Sequence, residues 1–207
     1  VPKIVDHAAR RTEIIEAVWS LIVRKGFVAV TMRELATEAG YANGALARYF
    51  PNKDTVLRAA FQRAFDATNE RAQAAIGDRG GLTAFRLLCL EIMPLDEVRL
   101  AEARVVIGFW DYAAGQPDLV DFVDSAMATW REEMRMYLGQ AQVAGELAPD
   151  RPHDRVVDAV LAMTMGLQVN AYFSPRHNTP DRQMAVLDDF LASISNRPTP
   201  AATERHT

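Results

Sequence analysis

Residues 31–50 read TMRELATEAGYANGALARYF, and the fold turns on how this stretch is punctuated. Thr31 with Glu34 three positions on is a capping box, each side chain satisfying the other's backbone N–H, so a helix starts at Met32. Leu35, Ala36 and Ala39 give that helix an apolar face. Gly40 ends it, because glycine accepts the positive φ of a helix terminus without a Cβ penalty. Asn43 can cap a second short helix running to about Phe50, with Leu46 and Phe50, four apart, anchoring it to the first. The product is a helix, a tight turn and a helix.

The second helix is narrow at its start, where Ala42, Gly44 and Ala45 stand. Small residues there would let a helix enter a DNA major groove and bring backbone N–H groups toward phosphates, while Asn43 can read a base edge. Arg48, Tyr49 and Lys53 have the chemistry for flanking phosphates, which position a helix without carrying much sequence information. A glycine between two short amphipathic helices also occurs in helical enzymes, and this stretch by itself leaves both readings open.

Outward from it, helical periodicity dominates. Ile14, Val18, Leu21 and Ile22 form one stripe and Val56, Ala60, Phe61, Ala64 and Phe65 another, whereas alternating strand patterns are scarce. Gly26 and Gly40 act as stops, Gly77 to Gly81 as a break, Pro117 and Pro180 as first-turn residues, and Pro149 to Pro152 as a connector. These signals predict an all-α chain of about nine helices. It divides into a helix-turn-helix module over 1–54, a helical body over 55–196 and a tail over 197–207. A helix over Thr55–Ile76 would pack on both module and body.

Composition narrows the function. The 207 residues are 49% hydrophobic and 24% charged, ordinary for a folded domain. The overall charge of −4 is unevenly spread: residues 1–65 carry ten Lys and Arg against six Asp and Glu, a net of +4, and the remainder thirteen against twenty-one, a net of −8. A positive head and an acidic body would orient the molecule on a polyanion. Cys89 is the single cysteine and the four histidines are scattered, so neither an internal disulfide nor a metal-ligand pattern is present. We find no nucleophile with an adjacent base, no Gly-rich phosphate loop and no cofactor motif, which argues against an enzyme. No signal-peptide pattern and no run of about 18 apolar residues occurs, and a cytoplasmic location is the expectation.

From Ile14 through Leu57 the run IIEAVWSLIVRKGFVAVTMRELATEAGYANGALARYFPNKDTVL resembles the DNA-binding domain of the TetR family of transcription regulators. The diagnostic places are a first helix ending in KGF, then TxRELAxEAG, GxLxxYF, and NKD before an apolar helix. The closing segment AMTMGLQVNAYFSPRHNTPDRQMAVLDDFLASI resembles the C-terminal domain of the choline-responsive repressor subgroup. The resemblance implies a repressor acting as a homodimer on double-stranded palindromic operator DNA and released by a small-molecule effector. The alternatives are an all-helical enzyme or ligand carrier with an incidental helix-turn-helix, and an activator of the same fold. It further implies that Thr31 and Lys53 contact phosphates, that Arg33 lies at the groove edge, and that Ala42 to Ala45 with Arg48 face bases. The family usually has an aromatic where Ala47 stands and a small aliphatic where Tyr41 stands, so a phosphate contact is lost at one place and a hydroxyl offered at the other. Lys3, Arg10 and Arg11 are candidates for a basic arm or for a solvated helix start.

In the body, Phe85, Leu88, Cys89, Ile92 and Met93 form one stripe and Trp130, Met134 and Leu138 another. Phe109, Trp110 and Tyr112 cluster nearby in sequence. Phe85, Cys89, Met93, Phe109, Trp110, Trp130, Met134, Met163 and Gln168 are candidates to line a mostly apolar effector cavity, or else plain core. Trp110 and Trp130 with Asp111, Glu91 or Glu102 would suit a cationic or aromatic effector. The last two helices carry apolar faces at Val156, Val157, Val160, Leu161, Thr164, Leu167 and Ala171, then Met184, Leu187, Leu191 and Ile194. By resemblance, these faces pack against their copies in the dimer.

Overall fold

In the computed structural model, which describes residues 7–27 and 30–196, the described residues form nine helices. They are α1 (His7–Lys25), α2 (Met32–Glu38), α3 (Asn43–Leu46), α4 (Lys53–Ile76), α5 (Gly81–Ile92), α6 (Glu97–Ala113), α7 (Pro117–Val143), α8 (His153–Phe173) and α9 (Pro180–Ile194). Lys3 and the tail 197–207 lie outside the described residues.

The local signals explain where the helices begin and end. The capping box at α2 is formed: Glu34 N–H donates to Thr31 Oγ1 at 3.3 Å, and Thr31 N–H to Glu34 Oε2 at 3.0 Å. Gly40 closes α2 at φ 73°, with Tyr41 N–H donating to the Ala36 carbonyl and Gly40 N–H to the Thr37 carbonyl, the bond pair of a Schellman motif. Asn52 caps α4 through Thr55 N–H at 3.0 Å, so this helix starts at Lys53, two residues before the expected Thr55. Pro117 and Pro180 sit in first turns, where their missing N–H is harmless.

One expected cap is displaced. Ala42, not Asn43, is the N-cap of α3: it is extended at φ −68° and ψ 147°, and its carbonyl accepts from Ala45 and Leu46 N–H. The α-helical part ends at Leu46 rather than near Phe50, and the chain continues in tight turns, with Tyr49 and Phe50 N–H both donating to the Leu46 carbonyl. The Schellman closure of α2 sets this register, because it delivers the chain extended at Ala42.

α1, α2 and α3 pack around Ile14, Val18, Leu35, Leu46 and Phe50, all buried, against the first turns of α4. The body places α4 to α9 around a second part of the same core, with α4 contacting α1, α5 and α6 and so belonging to both halves. α8 touches α5, α6, α7 and α9. It is apolar enough by composition to resemble a membrane span, with mean hydropathy 1.3 over 18 residues, because it packs against four other helices.

The apolar faces expected to meet a second copy are used within the protomer instead. Val156, Val157, Val160, Leu161, Thr164, Leu167 and Ala171 on α8, with Leu187, Leu191 and Ile194 on α9, are all buried inside the single chain, and Met184 is half-buried. A helix has room for one broad apolar stripe, and the stripe strong enough to be read from sequence is the one that fills the core.

Candidate DNA-binding face and effector cavity

α2, the Gly40 turn and α3 present an outer surface. Thr31, Arg33, Ala42, Gly44 and Arg48 are exposed, and Tyr41, Ala45, Tyr49 and Lys53 are half-exposed. Buried Leu35, Ala36 and Leu46 hold the opposite side against the module core. Tyr41 and Tyr49 meet edge to face with centroids 5.9 Å apart. Lys53, the first residue of α4, rests its ammonium 5.2 Å from the centroid of Tyr112. The Thr31 hydroxyl donates to Glu34 Oε2 at 3.0 Å, so a phosphate there would compete with that carboxylate for its proton. Lys25 Nζ sits 3.0 Å from Glu34, and these contacts, Lys25 foremost and then Thr31, hold the Glu34 carboxyl below its usual range.

Arg10 and Arg11 do not form an arm. Arg10 pairs with Glu13 on its own helix at 2.5 Å, and Arg11 donates to the Tyr49 carbonyl at 2.6 Å while lying over the Phe50 ring. Arg11 thus ties α1 to the turns that follow α3, a positioning role not read from the sequence because the partners lie 38 residues apart.

The body encloses a cavity between α4, α6, α7 and α8, with free volume of about 20 Å³, room for roughly one water. Phe61, Phe65, Val106, Met127 and Leu161 supply apolar wall, and of the nine candidates Trp110, Trp130 and Gln168 line it. Phe85, Cys89, Met93, Phe109 and Met134 do not; each is wholly buried in packing elsewhere. Phe109, for instance, is wedged between Phe27, Phe61 and Phe122, with centroids 6.0, 4.9 and 5.9 Å away. Met163 is half-buried beside the cavity-facing Thr164 without lining the cavity itself. Burial pushes the Cys89 thiol up to about 12.

Of the acids considered for a cation, Asp111 is exposed and away from the cavity. Glu102 does line it, 6% exposed, but is gripped by Arg71 through two bonds of 2.8 and 2.6 Å. Glu91 accepts from Arg71 at 3.0 Å and lies 3.3 Å from Arg99. Glu102 at this wall and Glu91 behind it therefore each already hold an arginine, an arrangement assembled from three helices that no local pattern foretells.

The same α6 reaches the DNA-binding module. Tyr112 donates its hydroxyl to Asp54 at 2.6 Å, beside Lys53; burial and then this carboxylate raise the phenol's pKa. Gly108 lies against Phe27: a Cβ on Gly108 would stand 2.6 Å from Phe27 Cδ2. Trp110, two residues from each of these contacts, is at the cavity wall.

Among the described residues the fold is all-helical, with an outward helix-turn-helix and a separate body, the architecture of a DNA-binding regulator. Residues 14–60 match the family model of the tetR family of bacterial regulatory proteins, and residues 82–196 that of the BetI-type transcriptional repressor C-terminal domain. The chain belongs to the TetR family of transcription regulators, whose members are not enzymes. It is 27% identical to the regulator PksA of Bacillus subtilis over 207 residues, covering 100% of both chains. It is 41% identical to the repressor KstR of Mycolicibacterium smegmatis over 71 residues, 33% of this chain and 35% of that one. A transcriptional regulator from Saccharomonospora viridis, solved in complex with choline, superposes with TM-score 0.83 at 23% identity, covering 92% of this chain and 100% of that one.

Proposed function

We propose that the chain is a cytoplasmic repressor that binds a palindromic operator as a homodimer and leaves it when a small molecule occupies the cavity between α4, α6, α7 and α8. The observation that carries this reading is the double engagement of α6. Trp110 lines the cavity, while Gly108 and Tyr112 hold Phe27 and Asp54 of the module. With free volume of only about 20 Å³, the cavity would have to widen to admit an effector, displacing α6 and with it the seat of the module. The effector then favours the widened state by its differential affinity, and a hundredfold loss of operator binding needs about 2.7 kcal/mol of such preference.

On the operator, Thr31 and Lys53 would hold phosphates and Arg33 the groove edge. Tyr41 and Tyr49 would flank them with hydroxyls, and Ala42, Asn43, Gly44, Ala45 and Arg48 would meet bases. Dimerisation through the outer faces of α8 and α9 is supported by exposed Val169 and Phe173 on α8 and Val186 on α9, with small Ala159, Ala162 and Ala185 allowing close approach. A two-fold pair would present its two α3 segments about 34 Å apart or at a multiple of that spacing.

A gel-shift series on the DNA upstream of the protein's own gene, across salt concentrations and a metabolite panel, tests the proposal. Salt-sensitive binding to a palindrome, abolished by one class of metabolite, is expected. No preference for any DNA at low ionic strength would end it.

A further inference from the structure

The cavity wall carries a donor and an acceptor that the fold leaves unanswered. Trp110 Nε1 is buried and has no hydrogen-bond partner among the described residues, and the same is true of Gln168 Oε1, on a side chain only 7% exposed. The orientation of the Gln168 amide is set by its other end, since Nε2 donates to the Ile92 carbonyl at 2.8 Å and leaves the oxygen free. Both side chains line the same cavity, beside apolar wall that includes Phe61, Phe65, Trp130 and Leu161. Buried polar atoms are nearly always paired, and the other polar groups of this wall, Thr68, Arg99, Glu102 and Thr164, are; two orphans at one cavity therefore point to a guest that pairs them.

A hydroxyl answers both, as a single water would in the unwidened cavity, because one oxygen accepts from an N–H and donates its own proton. A carbonyl or a carboxylate would serve Trp110 and leave Gln168 unmet, and an ammonium would do the reverse. A quaternary ammonium would serve neither. Nor does the wall offer a spare negative charge, since Arg71 grips Glu102 twice and Arg71 and Arg99 share Glu91. A permanent cation entering here would lose its hydration against acids already neutralised. The ring of Trp130 is partly occupied as well, stacked on Phe65 at 4.7 Å.

Building on the effector-cavity reading above, we propose that the effector is a neutral, largely apolar alcohol whose hydroxyl accepts from Trp110 Nε1–H and donates to Gln168 Oε1.

Calorimetry on the full chain without DNA tests this with two probes of one shape: choline, and its neutral carbon isostere, a dimethylbutanol with a tert-butyl group in place of the trimethylammonium. The alcohol should bind at least about tenfold more tightly than choline, and Trp110→Phe and Gln168→Leu should each weaken it by about tenfold, the loss of one buried hydrogen bond. Choline binding as tightly as the alcohol, no heat from the alcohol, or an alcohol affinity indifferent to Trp110→Phe would overturn the proposal. A parallel operator gel shift separates the two readings. Trp110-dependent alcohol binding that leaves the operator occupied upholds the hydroxyl site and refutes release, whereas choline alone binding and releasing the operator upholds release and refutes the hydroxyl site.

Discussion

Single side chains in this protein hold two kinds of task, and their surroundings separate them. Glu34 closes the α2 cap while pairing with Lys25, which lowers its pKa in the folded state. A lowered carboxylate pKa means stability that is present above the unfolded value and lost as pH falls through the folded one. Glu34→Gln keeps the cap geometry and removes the charge, so its melting temperature should lie below that of the parent near neutrality. The two should converge as pH falls below the ordinary glutamate range of about 4.3. Cys89, wholly buried with its thiol pushed up to about 12, should resist a thiol reagent at pH 8 until the protein is unfolded by denaturant. On the proposed DNA-binding face, Lys53→Ala should weaken binding to all sequences and flatten the salt slope by about one, whereas Arg48→Ala should change sequence preference. Binding titrations on operator and scrambled DNA that gave equal effects from both would refute that division.

Among the elements, α6 has the most demanding position, since one face meets the cavity and the next meets the module. Gly108 permits this: its missing Cβ leaves room for Phe27, whose ring is itself packed edge-on against Phe109. Gly108→Ala would force the Phe27 ring or α6 to shift, at about 1–3 kcal/mol for overpacking. Its expected outcome is a lower melting temperature together with altered operator affinity; a stability loss with unchanged operator affinity would remove α6 from the coupling route. α4 is fastened to both neighbours, to α1 through Arg63 and Glu16 at 2.5 and 2.8 Å and to α7 through Arg58 and the Asp118 carbonyl at 3.0 Å. A displacement of α6 thus meets a helix already linked to the module at one end and to the body along its length.

For the whole molecule, the positive net charge lies in residues 1–65, while exposed Val169, Phe173 and Val186 stand on the last two helices. Phe173 is 71% exposed, far more than a large aromatic needs to be. Phe173→Asp should shift sedimentation from dimer to monomer and weaken operator binding, with helical content by circular dichroism unchanged; a variant that remains dimeric would place the interface elsewhere. The helix count, the cap at Thr31 and the stop at Gly40 were legible in the sequence because each depends on residues within one or two turns of one another. The placement of Ala42 as N-cap was not, since it follows from how the preceding helix closes. Which apolar stripe faces the core, which of nine cavity candidates line it, and which acids are already neutralised depend on helix packing across tens of residues. The sequence by itself therefore determined that these helices form and what kind of module the first of them build, through short-range capping and periodicity. Only the tertiary structure decided that Trp110 and Gln168 share a cavity while Arg71 neutralises Glu102 at its wall, because such meetings are set by how whole helices pack.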